Sequence, residues 1–158
     1  MSDKTDWPEI LGPGMHEIDV NDLEKLFVDP FPDQVRRKEL CNGLKRFLST
    51  LTLLPLSCQC WIGGSFTTQK PTPADVDVVL FFNRGEVDDL DDASYAALNE
   101  LCNKAVALAR YFCDVYYDPI DEPQRQDYWR GKFGFTSDGA TEKGIVLIKI
   151  NHGLHRTT

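Results

Sequence analysis

Trp61-Ile62-Gly63-Gly64-Ser65-Phe66-Thr67-Thr68-Gln69-Lys70-Pro71-Thr72-Pro73-Ala74-Asp75-Val76-Asp77-Val78-Val79-Leu80-Phe81-Phe82 is the stretch from which this chain is read. An apolar strand over residues 57–62 enters a Gly-Gly-Ser turn. Residues 66–69 have room for one helical turn. Lys70-Pro71-Thr72-Pro73 can be neither regular helix nor interior strand, because proline fixes φ and lacks a donor. A second strand follows over residues 75–82. Val76, Val78, Leu80 and Phe82 share one face; Asp75, Asp77, Val79 and Phe81 share the other. Away from its polar head this strand is apolar on both sides, so it is central and covered.

The polar residues of the stretch suit a particular chemistry. Asp75 and Asp77 stand at i and i+2, so their carboxylates project to one face and repel unless a cation or proton intervenes. Hard oxygen ligands of this kind suit Mg²⁺ or Mn²⁺, ions that also bind substrate phosphates. Gly63 and Gly64 let backbone approach a phosphate closely. N–H groups at a turn opening into a helix attract an anion, and the Ser65 hydroxyl adds a donor. Lys70, or Thr67 with Thr68, could help neutralise phosphate charge. Asp114, on a later strand, can join the pair if that strand lies beside residues 75–82, with Asp118 and Asp121 as alternatives. Each half of the pattern is common alone: Gly-Gly-Ser as a turn, Asp-x-Asp as a strand end. Their combination carries the assignment.

Around this stretch the chain reads as helix, strand, turn, strand, helix, strand, loop, strand. That is an α/β or α+β fold with a short mixed sheet flanked by helices. Residues 1–20 form an N-terminal arm, with Pro8, Gly12, Pro13 and Gly14 keeping it extended, Trp7, Ile10 and Leu11 tethering it, and a short strand or extended segment over residues 15–20. Residues 21–158 form one domain. Asn21 or Asp22 caps a short helix over Leu23, Leu26 and Phe27. A long helix starts near Asp33 and ends by Pro55; Leu40, Leu44, Phe47, Leu48 and Leu51 make its apolar stripe. Arg36, Arg37, Lys38, Lys45 and Arg46 are assigned to its solvated surface. Gly43 weakens the helix by about 1 kcal/mol relative to Ala, which points to close packing there. Residues 83–92 read as a solvated acidic loop rather than a second metal site. Residues 93–110 read as one helix, 111–117 as a strand, 122–130 as a short polar helix, and 145–150 as the last strand. Between these, the Gly-rich segment 131–144 reads as loop anchored by Phe133 and Phe135.

The net charge is −8, which argues against nonspecific nucleic-acid binding. An apolar fraction of 42% suffices for a single core. Five cysteines, with no Cys-x-x-Cys pair, read as buried free thiols of a reducing, cytoplasmic compartment. No run is long enough for a membrane span. His16, His152 and His155 show no metal-ligand spacing, and Trp129 reads as packing over the sheet rather than stacking a base with Arg125 and Arg130.

Ile62-Gly63-Gly64-Ser65, followed by Asp75-Val76-Asp77, resembles the signature of the nucleotidyltransferase superfamily related to DNA polymerase beta. The overall layout, including Lys143-Gly144-Ile145-Val146, is similar to small bacterial members, the minimal nucleotidyltransferases of toxin–antitoxin and phage-defence systems. The resemblance implies that Gly64 and Ser65 bind phosphate, that Asp75 and Asp77 bind metal, and that Asp114 is the third acid. It implies transfer of a nucleoside monophosphate from a nucleoside triphosphate such as ATP to a hydroxyl of a protein, an RNA or a small molecule. Two departures stand out. Phe66-Thr67-Thr68 replaces the Ala-Arg-Gly run frequent in minimal members, and no helical domain follows to hold an acceptor. A protein partner or a homo-oligomer is therefore expected to complete the site. The alternative is a catalytically weak or inactive subunit that binds a partner.

Overall fold

The computed structural model describes residues 7–136 and 139–151. Strands β1 (Gly14–Glu17), β2 (Cys58–Gly63), β3 (Val76–Phe82), β4 (Cys113–Pro119) and β5 (Gly144–Ile150) form one mixed sheet in the order β1-β5-β2-β3-β4. Strand β2 is antiparallel to β3 and β5; β4 runs parallel to β3, and β1 parallel to β5. Six α-helices accompany the sheet among the described residues: α1 (Leu23–Phe27), α2 (Val35–Thr52), α3 (Arg84–Asp88), α4 (Asp92–Leu101), α5 (Lys104–Tyr111) and α6 (Pro123–Phe133). The architecture is α+β, as the order of sequence patterns leads one to expect. No described helix is long and apolar enough to cross a membrane.

The expected stripe of α2 is the heart of the main core. Leu40, Leu44, Phe47, Leu48 and Leu51 are buried with Cys41 against Ile62, Val76, Val78, Leu80 and Cys113. Each such Leu or Phe contributes about 1.5–3 kcal/mol. The opposite sheet face carries a smaller cluster, in which Trp129 and Phe133 of α6 cover Trp61, Val79, Phe81 and Ile145. Asp77 and Asp114 lie at one end of that face, as the period-two pattern requires.

Several boundaries differ from the sequence reading for local reasons. Residues 93–110 form two helices, because the Asn103 side chain accepts the Val106 N–H at 3.1 Å and starts α5 anew. Residues 83–92 are not simply loop. Asn83 caps α3 by accepting the Glu86 N–H at 3.2 Å, and the Glu86 carboxylate in turn accepts the Ser57 N–H at 2.7 Å. Helix α6 begins at Pro123 and runs past Arg130 to Phe133. Strand β4 starts only at Cys113, because Phe112 takes a left-handed φ of 58° and turns the chain out of α5.

Gly43 has the close neighbour its position suggested. A Cβ there would sit 2.9 Å from the Tyr111 carbonyl carbon and 3.0 Å from the Phe112 ring. The bare backbone of α2 thus seats the end of α5. The Phe112 carbonyl then accepts the Val76 N–H at 2.9 Å, and this bond opens the β3–β4 ladder.

The arm is strapped to the body. Ile10 N–H donates to the Thr67 carbonyl at 3.2 Å, Gln69 N–H donates to Pro8 at 2.8 Å, and β1 adds to the sheet edge. His16 contacts the Gly12 carbonyl at 2.6 Å. Residues 1–6, His152 and His155 lie outside the described residues.

Candidate functional site

Strand β2 ends at Gly63, directly opposite Asp77 on antiparallel β3, and Asp77 faces Asp114 on parallel β4. Asp75 immediately precedes β3. Together the registers bring one carboxylate oxygen from each of Asp75, Asp77 and Asp114 within 4.8 Å of one another. All three residues are half-buried. Gly64 has φ +74°, a left-handed conformation that favours glycine, and a methyl there would strike the Asp77 carboxyl, whose Cγ would lie only 2.8 Å away. The turn is therefore pressed against the acids, and both glycine properties, no side chain and positive φ, are used at one position.

Burial raises the Asp75 carboxyl above its ordinary value. The charge of Asp114 adds to this, while Arg36, Lys104 and a hydrogen bond with Asp77 oppose it. Asp77 is pushed up to about 7, first by burial and then by the charges of Asp75 and Asp114. The Lys104 ammonium hydrogen-bonds the Asp114 carboxylate and lies 3.7 Å from the centre of the Tyr116 ring. Burial alone would lower the Lys104 pKa, but bonds to Asp114 and Tyr116 outweigh it and the net shift is upward. The Tyr116 hydroxyl donates to the other Asp114 oxygen at 3.1 Å. Lys143 offsets some of the charge at Asp77. Arg36 donates from Nε to the Pro73 carbonyl at 3.3 Å and from Nη2 to Ala74, so it clips the segment that presents Asp75.

The expected phosphate turn divides into parts that face the acids and parts that hold the turn. Gly64–Thr67 is a 3₁₀ turn starting beside Asp77. Among the described residues the Ser65 hydroxyl has no hydrogen-bond partner, whereas the Ser65 carbonyl accepts from the Thr68 N–H at 3.1 Å and the Thr68 hydroxyl at 2.7 Å. Thr67 is buried, and its hydroxyl donates back to the Gly64 carbonyl at 3.1 Å, so it serves the turn. Gly63 lies under Phe133, whose Cγ would be 2.6 Å from an added Cβ. This makes Gly63 a packing position for α6. Lys70 contributes its backbone to the turn's support, and the cations acting on Asp75 and Asp77 are Arg36, Lys104 and Lys143.

Arg37 is the main departure from the sequence reading. Instead of facing solvent it is 0% exposed. Its guanidinium donates to the carbonyls of Phe27 at 2.9 Å, Phe66 at 2.7 Å and Lys70 at 2.7 Å, and to that of Thr68, while the Phe31 ring centre lies 3.8 Å away. One cation thus fixes the chain from Phe66 to Lys70 behind the turn. Its charge hid this role in the sequence, although residue 37 stands three before Leu40 and falls on the buried stripe of α2.

The alternative acids belong elsewhere. Asp118 accepts from Trp129 Nε1 at 2.6 Å and pairs with Arg125 at 3.0 Å; Asp121 pairs with Arg84 at 3.7 Å. Trp129 is buried between Tyr116 and Phe133, with ring centres 5.0 and 5.5 Å away, and so covers the sheet as the sequence reading prefers. Sequence reasoning assigns no role at the acids to Lys104, which carries no local motif, or to Lys143, which figures only in the layout around Gly144. One reaches Asp114 from the start of α5 and the other immediately precedes β5.

The donor set is three half-buried carboxylates beside a tight backbone turn with a free hydroxyl. Such a set fits a hard divalent cation better than a soft one. The model of a family of unknown function, DUF6932, matches residues 5–149, and the chain belongs to that family. No curated protein and no solved structure matches it.

Proposed function

We propose that the chain is a divalent-metal-dependent nucleotidyltransferase, moving a nucleoside monophosphate from a nucleoside triphosphate to a hydroxyl of a protein, an RNA or a small molecule. The observation that carries this reading is the meeting of Asp75, Asp77 and Asp114 within 4.8 Å, beside Gly64. The resemblance of residues 62–77 to the nucleotidyltransferase signature, which points to the same residues, supports it. Asp75, Asp77 and Asp114 would hold Mg²⁺ or Mn²⁺, which when bound supplies charge neutralisation for the triphosphate and the attacking oxygen.

The chain's own residues do the rest. Gly64 lets the backbone approach, and Ser65 donates its hydroxyl to a phosphate oxygen. Arg37 keeps the turn from moving as charge builds. Asp114 takes the proton of the acceptor hydroxyl as its oxygen bonds to the α-phosphorus. The bond from that phosphorus to the bridging oxygen breaks, and pyrophosphate leaves. Most of the acceleration in such chemistry comes from positioning and electrostatics. Unpaired thiols at all five cysteines suit a reducing, cytoplasmic setting.

A second reading rests on Lys104. Its ammonium sits on Asp114, where a catalytic ion needs the carboxylate, and this favours a weak or inactive subunit that binds nucleotide for a partner, as in an antitoxin or a phage-defence complex. Incubation with each labelled nucleoside triphosphate and Mg²⁺ or Mn²⁺, with copurifying protein and RNA retained, separates the two. Labelled product or pyrophosphate is expected from the wild type and not from Asp75→Asn/Asp77→Asn. Equal output from both proteins rules out the transferase. Metal-dependent nucleotide binding without turnover selects the second reading.

A further inference from the structure

At the opposite ends of β3 and β4 from the carboxylates lies a cleft of about 400 Å³, on the sheet face that carries α4 and α5. Phe82, Val87, Leu98 and Pro119 give it an apolar floor. Tyr95 and Tyr117 stand at its rim, 48% and 60% exposed. Large aromatic surface left to water beside an apolar hollow is the composition of an anchor pocket.

The charge around the cleft is one-sided. Asp88 lines it, and Asp89, Asp91 and Asp92 follow on the connection into α4. Arg84, the basic residue of the lining, is engaged by Asp121 at 3.7 Å and by Glu122. Asp91 is occupied in capping α4 through the Ser94 N–H at 2.7 Å. Asp88, Asp89 and Asp92 have no ion-pair partner among the described residues. The connection from α3 into α4, which begins at the cleft with Asp88, therefore presents carboxylates that no cation among the described residues pairs.

We infer that this cleft receives a segment of a partner protein in which one aliphatic or aromatic anchor is flanked by Lys or Arg. The floor takes the anchor. The Tyr95 and Tyr117 rings offer faces to the flanking cations, and the acidic turn attracts them over a longer range. A second copy of this chain fits poorly. Each copy carries a net charge of −8, and pairing through this face would set two acidic turns against each other. The cleft does not share residues with the carboxylate site, so the inference stands or falls apart from the transferase reading.

Selection of a random peptide library displayed on phage against the full chain tests it, followed by fluorescence polarisation with the enriched peptides made synthetically. The enriched peptides are expected to carry an apolar residue flanked by Lys or Arg. Their affinity should fall as salt rises, and by about tenfold or more on Asp88→Lys/Asp89→Lys and on Tyr95→Ala. Both variants alter exposed side chains and should keep the wild-type melting curve. Asp77→Asn should bind the peptides like the wild type. Failure to enrich any peptide, enrichment of acidic or uncharged ones, or indifference to the two cleft variants overturns the inference. So does a concentration-dependent dimer in sedimentation that Tyr95→Ala dissociates, which would give the face to a second copy.

Discussion

Two groups of buried charge flank the turn from Gly64 to Thr67, and the fold treats them in opposite ways. On one side Arg37 meets backbone carbonyls from Phe27, Phe66, Thr68 and Lys70. Burial pulls its pKa down to about 10, which leaves it charged at neutral pH. On the other side three carboxyls crowd within 4.8 Å, and the Lys104 that pairs with Asp114 is 52% exposed. Burial and mutual repulsion lift Asp77 to about 7. A buried charge with its donors met is a building element. A group of like charges that nearby cations offset only in part, as Arg36, Lys104 and Lys143 do here, is the arrangement expected of a functional rather than a structural cluster.

Arg37→Met should break the contrast most strongly. It strands several buried carbonyls at once, and a loss of about 3–5 kcal/mol is expected in urea unfolding. Arg37→Lys should recover only part of that, since an ammonium has three donors where a guanidinium has five. A near-neutral Arg37→Met would mean that water replaces the guanidinium and that the cation is no building element.

Gly64→Ala comes next. The strained φ and the collision with Asp77 together should remove about 1–3 kcal/mol of stability and with it metal-dependent nucleotide binding, read by calorimetry. Retention of both would show that the turn can move away from the acids.

Asp77→Asn should act in the opposite sense on the two properties. Relief of repulsion should stabilise the metal-free chain by about 1 kcal/mol, while the thermal shift on adding Mg²⁺ disappears. The pH dependence follows from the same group. Its folded value of about 7 lies above the ordinary 3.8, so the folded chain holds a proton that the unfolded chain releases between those values. The contribution of Asp77 to stability therefore falls as pH rises through that window and is restored as pH falls. Melting of the metal-free wild type at pH 5 and pH 8 should show this loss, Mg²⁺ should reverse it at pH 8, and Asp77→Asn should show a smaller loss, left by the raised Asp75, and no reversal.

The smallest effect belongs to Lys104→Gln. Removing a half-exposed counter-ion should change stability by less than about 1 kcal/mol and tighten Mg²⁺ binding a few-fold in titration calorimetry. Unchanged or weaker Mg²⁺ binding would show that the ammonium does not compete for Asp114.

Much of this was legible along the chain. The spacing of Leu40, Leu44, Phe47, Leu48 and Leu51 marks the face that α2 buries. Gly43 in its middle signals a close neighbour, which proves to be the end of α5. Asp75 and Asp77 share a face by strand periodicity alone. The break between α4 and α5 had a signal as well, in the capping residue Asn103, but Leu98, Leu101, Ala105 and Leu108 continue an apolar helical spacing through it and mask it. The charge of Arg37 hides its place on the stripe. Only an environment of carbonyls from distant segments makes burial of that charge affordable. No spacing marks Lys104 or Lys143 as a partner of the acids, because a cation needs only to arrive, and a flexible side chain can arrive from many positions.

The sequence by itself determined the α+β order, the strand faces, the main helix stripe and the pairing of a Gly-Ser turn with two same-face aspartates. These follow from local geometry, the period of two in a strand and of 3.6 in a helix. Tertiary structure alone decided that Asp114 stands opposite Asp77, that Gly64 rather than Gly63 touches the acids, that Arg37 is buried behind the turn, and which cations attend the carboxylates. The register of β4 on β3 depends on the left-handed Phe112 and on the space that Gly43 leaves for α5. Contacts of that kind join residues far apart in the chain, and a shift of one residue in strand pairing would send Asp114 to the other face of the sheet.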